Sequence, residues 1–338
     1  MTLQTIADAL HVSRSTVSNA YNRPDQLAPE LRERILSTAR ELGYAGPDPA
    51  ARRLRTGHSG VIGLLFTEAL SYAFTDPGAT GFLSGLSRAG ERSATSLLLL
   101  AAPPGDEARS RIRDAVVDGF CVYSMSEGHP AVEAVLERGA PTLIVDEPRI
   151  PGVPFLGIDD RGGARLAAAH VAHRGHRRVG IVSARLLPDD FEGEVTPDRL
   201  AAATFSIERD RLAGFREALE PAGIDWASVP IVERHNDQRS GHEAARRLLE
   251  GDPAPTALLC TTDQLALGAL RAGAELGADL AVTGFDDVPE AARAGLTTVR
   301  QPLVGKGVRA GELLLDLMQD GRPADELMPV ELVVRQSA

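Results

Sequence analysis

The chain has 338 residues, 43% of them hydrophobic, and carries 36 basic against 47 acidic side chains, a formal net charge of -11. That length supports more than one domain and a large core, while no apolar run is long enough to span a bilayer and no apolar leader opens the chain, so a cytoplasmic protein is expected. Cys121 and Cys260 lie far apart in separate apolar runs, which argues for buried reduced thiols rather than a disulfide framework.

Thr2 is placed to cap a helix whose apolar positions Leu3, Ile6, Ala7 and Leu10 recur at helical spacing. His11-Val12 turns the chain toward a second cap at Ser13, and the helix that follows points Val17 and Tyr21 inward while Arg14, Ser15, Ser18 and Asn19 face out. A helix poor in apolar surface and rich in hydrogen-bonding tips suits a DNA groove, because Arg, Ser and Asn address base edges and Ser, Thr and Asn reach phosphates. A third helix opens at Ala28-Pro29, buries Leu31, Ile35, Ala39 and Leu42, and stops at Gly43. Next, Asp48 is a good cap, Pro49 a good first residue and Gly57 a stop, yet about two turns of helix cannot hold alone in water and must form against a partner. Small Ala50 and Ala51, an apolar wedge at Leu54 and the arginines 52, 53 and 55 together describe insertion into a minor groove. Residues 1–57 hold 8 arginines against 6 acids, leaving 28 basic against 41 acidic residues in the remainder, so the body repels DNA that the headpiece attracts. Lys306 is the sole lysine of the chain, a bias read as GC-rich coding.

From Gly60 the pattern changes to short apolar runs alternating with amphipathic helices. Strands are predicted at 61–66, 96–101, 119–123, 142–145 and 155–158, then in a second series at 179–182, 230–233, 257–260 and 280–284. Helices are predicted near 163–174, 206–221, 240–249, 264–276 and 303–319, and a last strand at 327–334. Two such half-domains make parallel α/β layers with a cleft between them.

The headpiece residues Thr5-Ile6-Ala7, Val12-Ser13, Thr16-Val17-Ser18, Asn22, Arg32-Glu33-Arg34-Ile35, Leu42-Gly43-Tyr44 and Ala50-Ala51-Arg52 with Leu54 resemble those of the lactose-repressor/galactose-repressor (LacI/GalR) family of bacterial transcription regulators. The body resembles that family's periplasmic-binding-protein-like effector domain through Asp159-Asp160, Gly175-His176-Arg177-Arg178-Val179-Gly180, Arg211-Leu212-Ala213-Gly214-Phe215, Pro255-Thr256-Ala257, Gly284-Phe285-Asp286-Asp287 and Leu296-Thr297-Thr298-Val299. The resemblance implies an all-α helix-turn-helix domain at 1–46, a hinge helix and linker at 47–58, and a two-lobed α/β domain with parallel sheets at 59–338. The first lobe is expected at 59–158 and 296–320, the second at 159–290 and 326–338. By the same resemblance Arg14, Ser15 and Asn19 read bases, Ser13, Thr16, Ser18 and Asn22 position phosphates, and Ala51 with Leu54 enters the minor groove. Asp146, Arg211, Asp263, Asp286 and Gln301 become ligand or hinge candidates, Asp263 being equally placed to open a helix beside Thr262. Tyr72 and Phe74 follow the first strand, where they either contact ligand or pack under the loop.

Other chemistry lacks a complete set of residues. His170, His173 and His176 drift around a helix with no cysteine or carboxylate to finish a zinc site, Asp286-Asp287 has no accompanying nucleophile, and no phosphate-cradling glycine loop occurs. Trp226 sits in a connection away from the cleft, and the acidic stretch 186–204 reads either as a solvated loop or as a cover. The expected protein is thus a repressor without catalysis, metal or cofactor, acting as a homodimer on near-palindromic operator DNA. A small polar effector, sugar-like or a related metabolite, controls it. The competing class is a cytoplasmic sugar- or nucleoside-binding protein or enzyme with no role at DNA.

Overall fold

Thr2 and Thr5 form a reciprocal capping box that starts α1 (Leu3–Leu10), and the left-handed His11 (φ 54°) closes it by donating its N–H to Ala7 O. Ser13 then caps α2 (Arg14–Asn22), and Pro29 opens α3 (Pro29–Glu41). These details come from a computed structural model that describes residues 1–46, 58–66, 70–102 and 106–338. Ile6, Ala7, Val17, Ala20, Ile35 and Ala39 are buried together as the core of the three helices. Tyr21, Leu31 and Leu42 are half-buried rather than fully inside, and Tyr21 meets Tyr44 edge-on at 6.0 Å. Removing the Ser13 cap by Ser13→Ala is expected to destabilise this domain by about 1 kcal/mol in chemical denaturation; no loss would show that the cap is dispensable. The hinge-helix expectation, with Ala51 and Leu54, lies outside the described residues.

The chain divides into two compact units, Met1–Ser59 and Gly60–Ala338. In the second unit the first lobe holds β1 (Val61–Phe66), α4 (Pro77–Ser93), β2 (Ser96–Ala101), α5 (Asp106–Asp114), β3 (Gly119–Tyr123), α6 (Pro130–Glu137), β4 (Thr142–Val145) and β5 (Phe155–Ile158). The second lobe continues with α7 (Asp160–His173), β6 (Val179–Ser183), β7 (Gly193–Glu194), α8 (Ser206–Leu219), β8 (Ile231–Glu233), α9 (Gln238–Leu249), β9 (Ala257–Cys260), α10 (Asp263–Leu276), β10 (Ala281–Asp286) and β11 (Thr297–Arg300). The chain returns as α11 (Leu303–Leu317) and β12 (Glu326–Met328), and ends in β13 (Glu331–Val333). One sheet has the order β12-β5-β4-β3-β1-β2 and is parallel throughout; the other runs β13-β11-β10-β9-β6-β8-β7, with antiparallel pairing only at its two edges.

Two lobe boundaries differ from expectation. Thr297–Arg300 pairs with β10 and β13 in the second sheet, so the return to the first lobe falls at Gln301-Pro302 and not at 296. The single final strand expected at 327–334 is two strands: Glu326–Met328 pairs with β5 in the first sheet and Glu331–Val333 with β11 in the second. Pro329, which cannot donate to a ladder, stands at the break. The acidic stretch 186–204 keeps Asp189, Asp190, Glu192, Glu194 and Asp198 exposed, as the solvated reading expects, on an ordered backbone. β7 lies within it, and Arg199 forks onto Asp189 (2.7 Å) and onto fully buried Glu233 (2.5 Å), with the Phe191 ring 4.0 Å from its guanidinium.

Two helices of the first lobe pack backbone against backbone. A Cβ on Gly307 of α11 would stand 2.0 Å from Phe82 O, and one on Gly85 of α4 would stand 2.0 Å from Val304 O, so the two backbones meet with no room for side chains. Gly307→Ala is expected to force the helices apart at a cost of about 1–3 kcal/mol. A lowered urea midpoint at unchanged slope would show it; an unchanged midpoint would mean that the pair relaxes freely.

Candidate functional site

The first candidate surface is α2. Arg14 and Ser15 are exposed on it, and Thr16, Ser18, Asn19 and Asn22 are half-buried. Ser13 Oγ accepts from Thr16 N at 3.0 Å and shares hydrogen bonds with Ser15 Oγ (2.6 Å) and Thr16 Oγ1 (2.7 Å), so the hydroxyls cluster at the helix N-terminus, where backbone N–H groups also favour a phosphate. Asn22 donates to Ser18 O at 2.9 Å, tying the far end of this face to the helix. Arg32 of α3 donates to Ala20 O at 3.2 Å and fixes the helix angle.

The second site is a cleft of about 920 Å³, its open mouth included, between the carboxyl ends of the two sheets. Such strand ends are where α/β folds place ligands. Tyr72, Asp146, Arg211, Asp286 and Gln301, all singled out from sequence, line it. Phe74 does not: its side chain is 64% exposed and absent from the lining. Asp263 is also outside the lining and fully buried, accepting from Val288 N at 2.8 Å and from Thr298 Oγ1 at 2.5 Å. Thr262 caps α10, and Asp263 as its first residue ties the turn after β10 to β11, which is the structural alternative left open above.

Asp286 closes β10 on a turn with φ 125°, and Asp287 follows at φ 57°. Both values are costly for a side-chain-bearing residue and persist because the Asp287 carboxylate is gripped by Arg335 (2.7 Å) and Arg300 (2.6 Å). The turn directs Asp286 into the cleft, where Gln301 Nε2 donates to its Oδ1 at 2.6 Å. Gln301 Oε1 in turn accepts from Lys306 Nζ at 2.7 Å, and Lys306 pairs with both oxygens of Asp146 at 2.8 and 2.6 Å. Buried Arg211 donates to Asp160 Oδ1 and Thr261 O, at 2.8 and 2.6 Å, with its guanidinium 3.7 Å from the Phe285 ring centroid.

Several cleft residues were not singled out. Asn236 reaches from the second lobe to the first, donating to Tyr72 Oη (2.9 Å) and Asp76 Oδ1 (3.3 Å) while accepting from Thr262 Oγ1 (2.6 Å). Glu147 reaches the other way, accepting from Ser206 Oγ (3.0 Å) and Ile207 N (3.1 Å) at the N-terminus of α8. Glu208 accepts from Ser183 Oγ at 3.0 Å. Only Asp76 left a local signal, an aspartate before Pro77 that caps α4.

The lining sets Asp76, Asp146, Glu147, Glu208 and Asp286 against the guanidinium groups of Arg185 and Arg211. Burial pushes Glu147 up to about 8, Asp286 to about 7 and Asp160 to about 6, Arg211 opposing the rise at the last two. Each holds its proton more tightly folded than unfolded. The stability they contribute is therefore complete below the ordinary carboxyl range and is lost as pH rises through about 6 to 8. Unfolding of the ligand-free protein by urea should show stability lower at pH 8 than at pH 5, by on the order of a few kcal/mol. Equal stability at the two values would mean that these carboxyls titrate normally.

Among the described residues no group of three or more His, Cys, Asp or Glu side chains could hold a metal ion, and no helix is long and apolar enough to cross a membrane.

Comparison with known proteins joins the two surfaces. Residues 2–46 match the bacterial regulatory proteins of the lacI family, and residues 168–338 match the periplasmic binding protein-like domain. The HTH-type transcriptional regulator Rv3575c of Mycobacterium tuberculosis is 44% identical, over 100% of this chain and 96% of its own. A solved LacI-family transcriptional regulator from Corynebacterium glutamicum is 40% identical, covers 99% of this chain and 98% of its own, and superposes with a TM-score of 0.77. The transcriptional regulator CelR in complex with cellobiose is 26% identical, covers 100% of both chains and has a TM-score of 0.72.

Proposed function

Because the chain belongs to the LacI family of bacterial regulatory proteins, we propose that it is a homodimeric, cytoplasmic repressor whose grip on a near-palindromic operator is set by an uncharged, polyhydroxylated effector in the cleft. Transcriptional regulation by a helix-turn-helix domain coupled to a periplasmic-binding-like domain is the activity of its relatives, and CelR was solved with a sugar bound. Each half-site takes one α2 in the major groove, with Arg14, Ser15 and Asn19 at base edges and Ser13, Thr16, Ser18 and Asn22 at phosphates. Ala51 and Leu54 are assigned to the minor groove at the operator centre.

The observation that carries the effector class is the number of carboxyl groups in the lining. Asp286 offers an oxygen beyond the one held by Gln301, and the neighbouring carboxyl groups accept hydroxyl protons whether or not they are ionised, while each one that is ionised repels a phosphate. Regulation requires that the effector bind one arrangement of the lobes better than the other, since equal affinity transmits nothing. A thermal-shift screen pairing neutral sugars and polyols with their phosphate esters tests this. A neutral hit present at 100 times its Kd should stabilise the protein by about 2.7 kcal/mol, with the matching phosphate ester inert. A response to the ester alone would contradict the assignment. On the DNA side, Arg14→Ala should relax preference at particular base pairs by about 1–3 kcal/mol, whereas a uniform loss across sequences would make Arg14 a phosphate contact.

A further inference from the structure

The sole lysine of the chain is 1% exposed and stands at the return crossing between the lobes, at the second turn of α11. Its ammonium has three protons and no acceptor, and three oxygens surround it: Asp146 Oδ1 at 2.8 Å, Asp146 Oδ2 at 2.6 Å and Gln301 Oε1 at 2.7 Å. Nothing is left over on the nitrogen. An ammonium can face only the oxygen end of the Gln301 amide, so the Nε2 end is forced toward Asp286, where it donates to Oδ1 at 2.6 Å. With Lys306 absent, the amide could turn over and present oxygen to Asp286, which would then have to carry a proton to meet it.

We infer that Lys306 is a positioning residue for the effector: through Gln301 it fixes Asp286 as a hydrogen-bond acceptor, so that the cleft takes a ligand presenting a hydroxyl donor at that point. The relay Asp146–Lys306–Gln301–Asp286 links the first lobe to the effector-facing carboxylate of the second across the crossing at Gln301-Pro302. Lys306 also bonds both oxygens of Asp146, so the first-lobe end of the relay is anchored by two contacts. This assignment rests on the cleft being the effector site.

A single lysine gives a single side-chain signal when the full chain is labelled with 13Cε,15Nζ-lysine. Asp286→Asn should shift that signal in the parent protein, because the change passes through the Gln301 amide, and should leave it unmoved once Gln301→Leu has cut the relay. Should Gln301→Leu fail to fold, Gln301→Met makes the same break at closer volume. No shift in the parent, or the same shift with and without Gln301, would overturn the inference, since a lysine that merely neutralises Asp146 would respond in neither case or in both alike. The readout needs no effector, so its failure counts against the relay alone, while failure of the sugar screen counts against the cleft reading.

Discussion

Arg211→Met should destabilise the two-lobed domain by about 3–5 kcal/mol, the cost of stripping one partner from a buried ion pair. Arg211 donates to Asp160, supplies Thr261 O with a hydrogen bond and lies against the Phe285 ring, and its removal leaves a carboxylate in the interior with no counter-ion. Asp160 already holds its proton up to about 6, so losing the cation pushes it higher, and the defect should be larger at pH 8 than at pH 5. Adding Asp160→Asn should recover part of the loss by removing the orphaned charge. Urea denaturation of the two variants decides it; a loss below about 1 kcal/mol would mean that the pair contributes no more net stability than an exposed one.

Asp286→Ala should weaken effector binding about ten- to hundredfold, because hydrogen bonds to a charged group contribute about 1.5–3 kcal/mol and each 1.4 kcal/mol is a factor of ten. The operator complex should then keep its effector-free affinity at effector concentrations that dissociate, or promote, the parent complex. Gln301 Nε2 also loses its partner, and for that reason Asp286→Asn, which keeps an oxygen of similar shape, is the companion variant. Its carbonyl accepts without charge and should fall between parent and alanine. An unchanged response in Asp286→Ala would move the effector to another part of the cleft.

What could be read from the sequence was what is local. Thr2, Ser13 and Pro29 announce helix starts because caps act over three or four residues, and most strands of the two sheets were legible as short apolar runs, Gly193–Glu194 and Thr297–Arg300 being the ones missed. The lobe membership of Thr297–Arg300 was not, because strand pairing is decided by neighbours distant in the chain. The split at Pro329 had a local sign, the missing N–H, that an apolar run on either side concealed. Asn236 and Glu147 left no signal, since their partners stand 164 and 59 residues away. Lys306 was conspicuous by count and attributable only to coding bias until its nitrogen was placed between Asp146 and Gln301.

Selection of bound duplexes from a random-sequence DNA library by the full-length protein at fixed salt, followed by affinity measurement on the enriched sequence with and without the neutral sugar found by thermal shift, bears most directly on the central claim. The account predicts enrichment of two half-sites related by a dyad, with centres about one helical turn apart, and an affinity that the sugar changes at least fivefold. No enriched sequence, or an enriched operator whose affinity is indifferent to a sugar that binds the cleft, would contradict it.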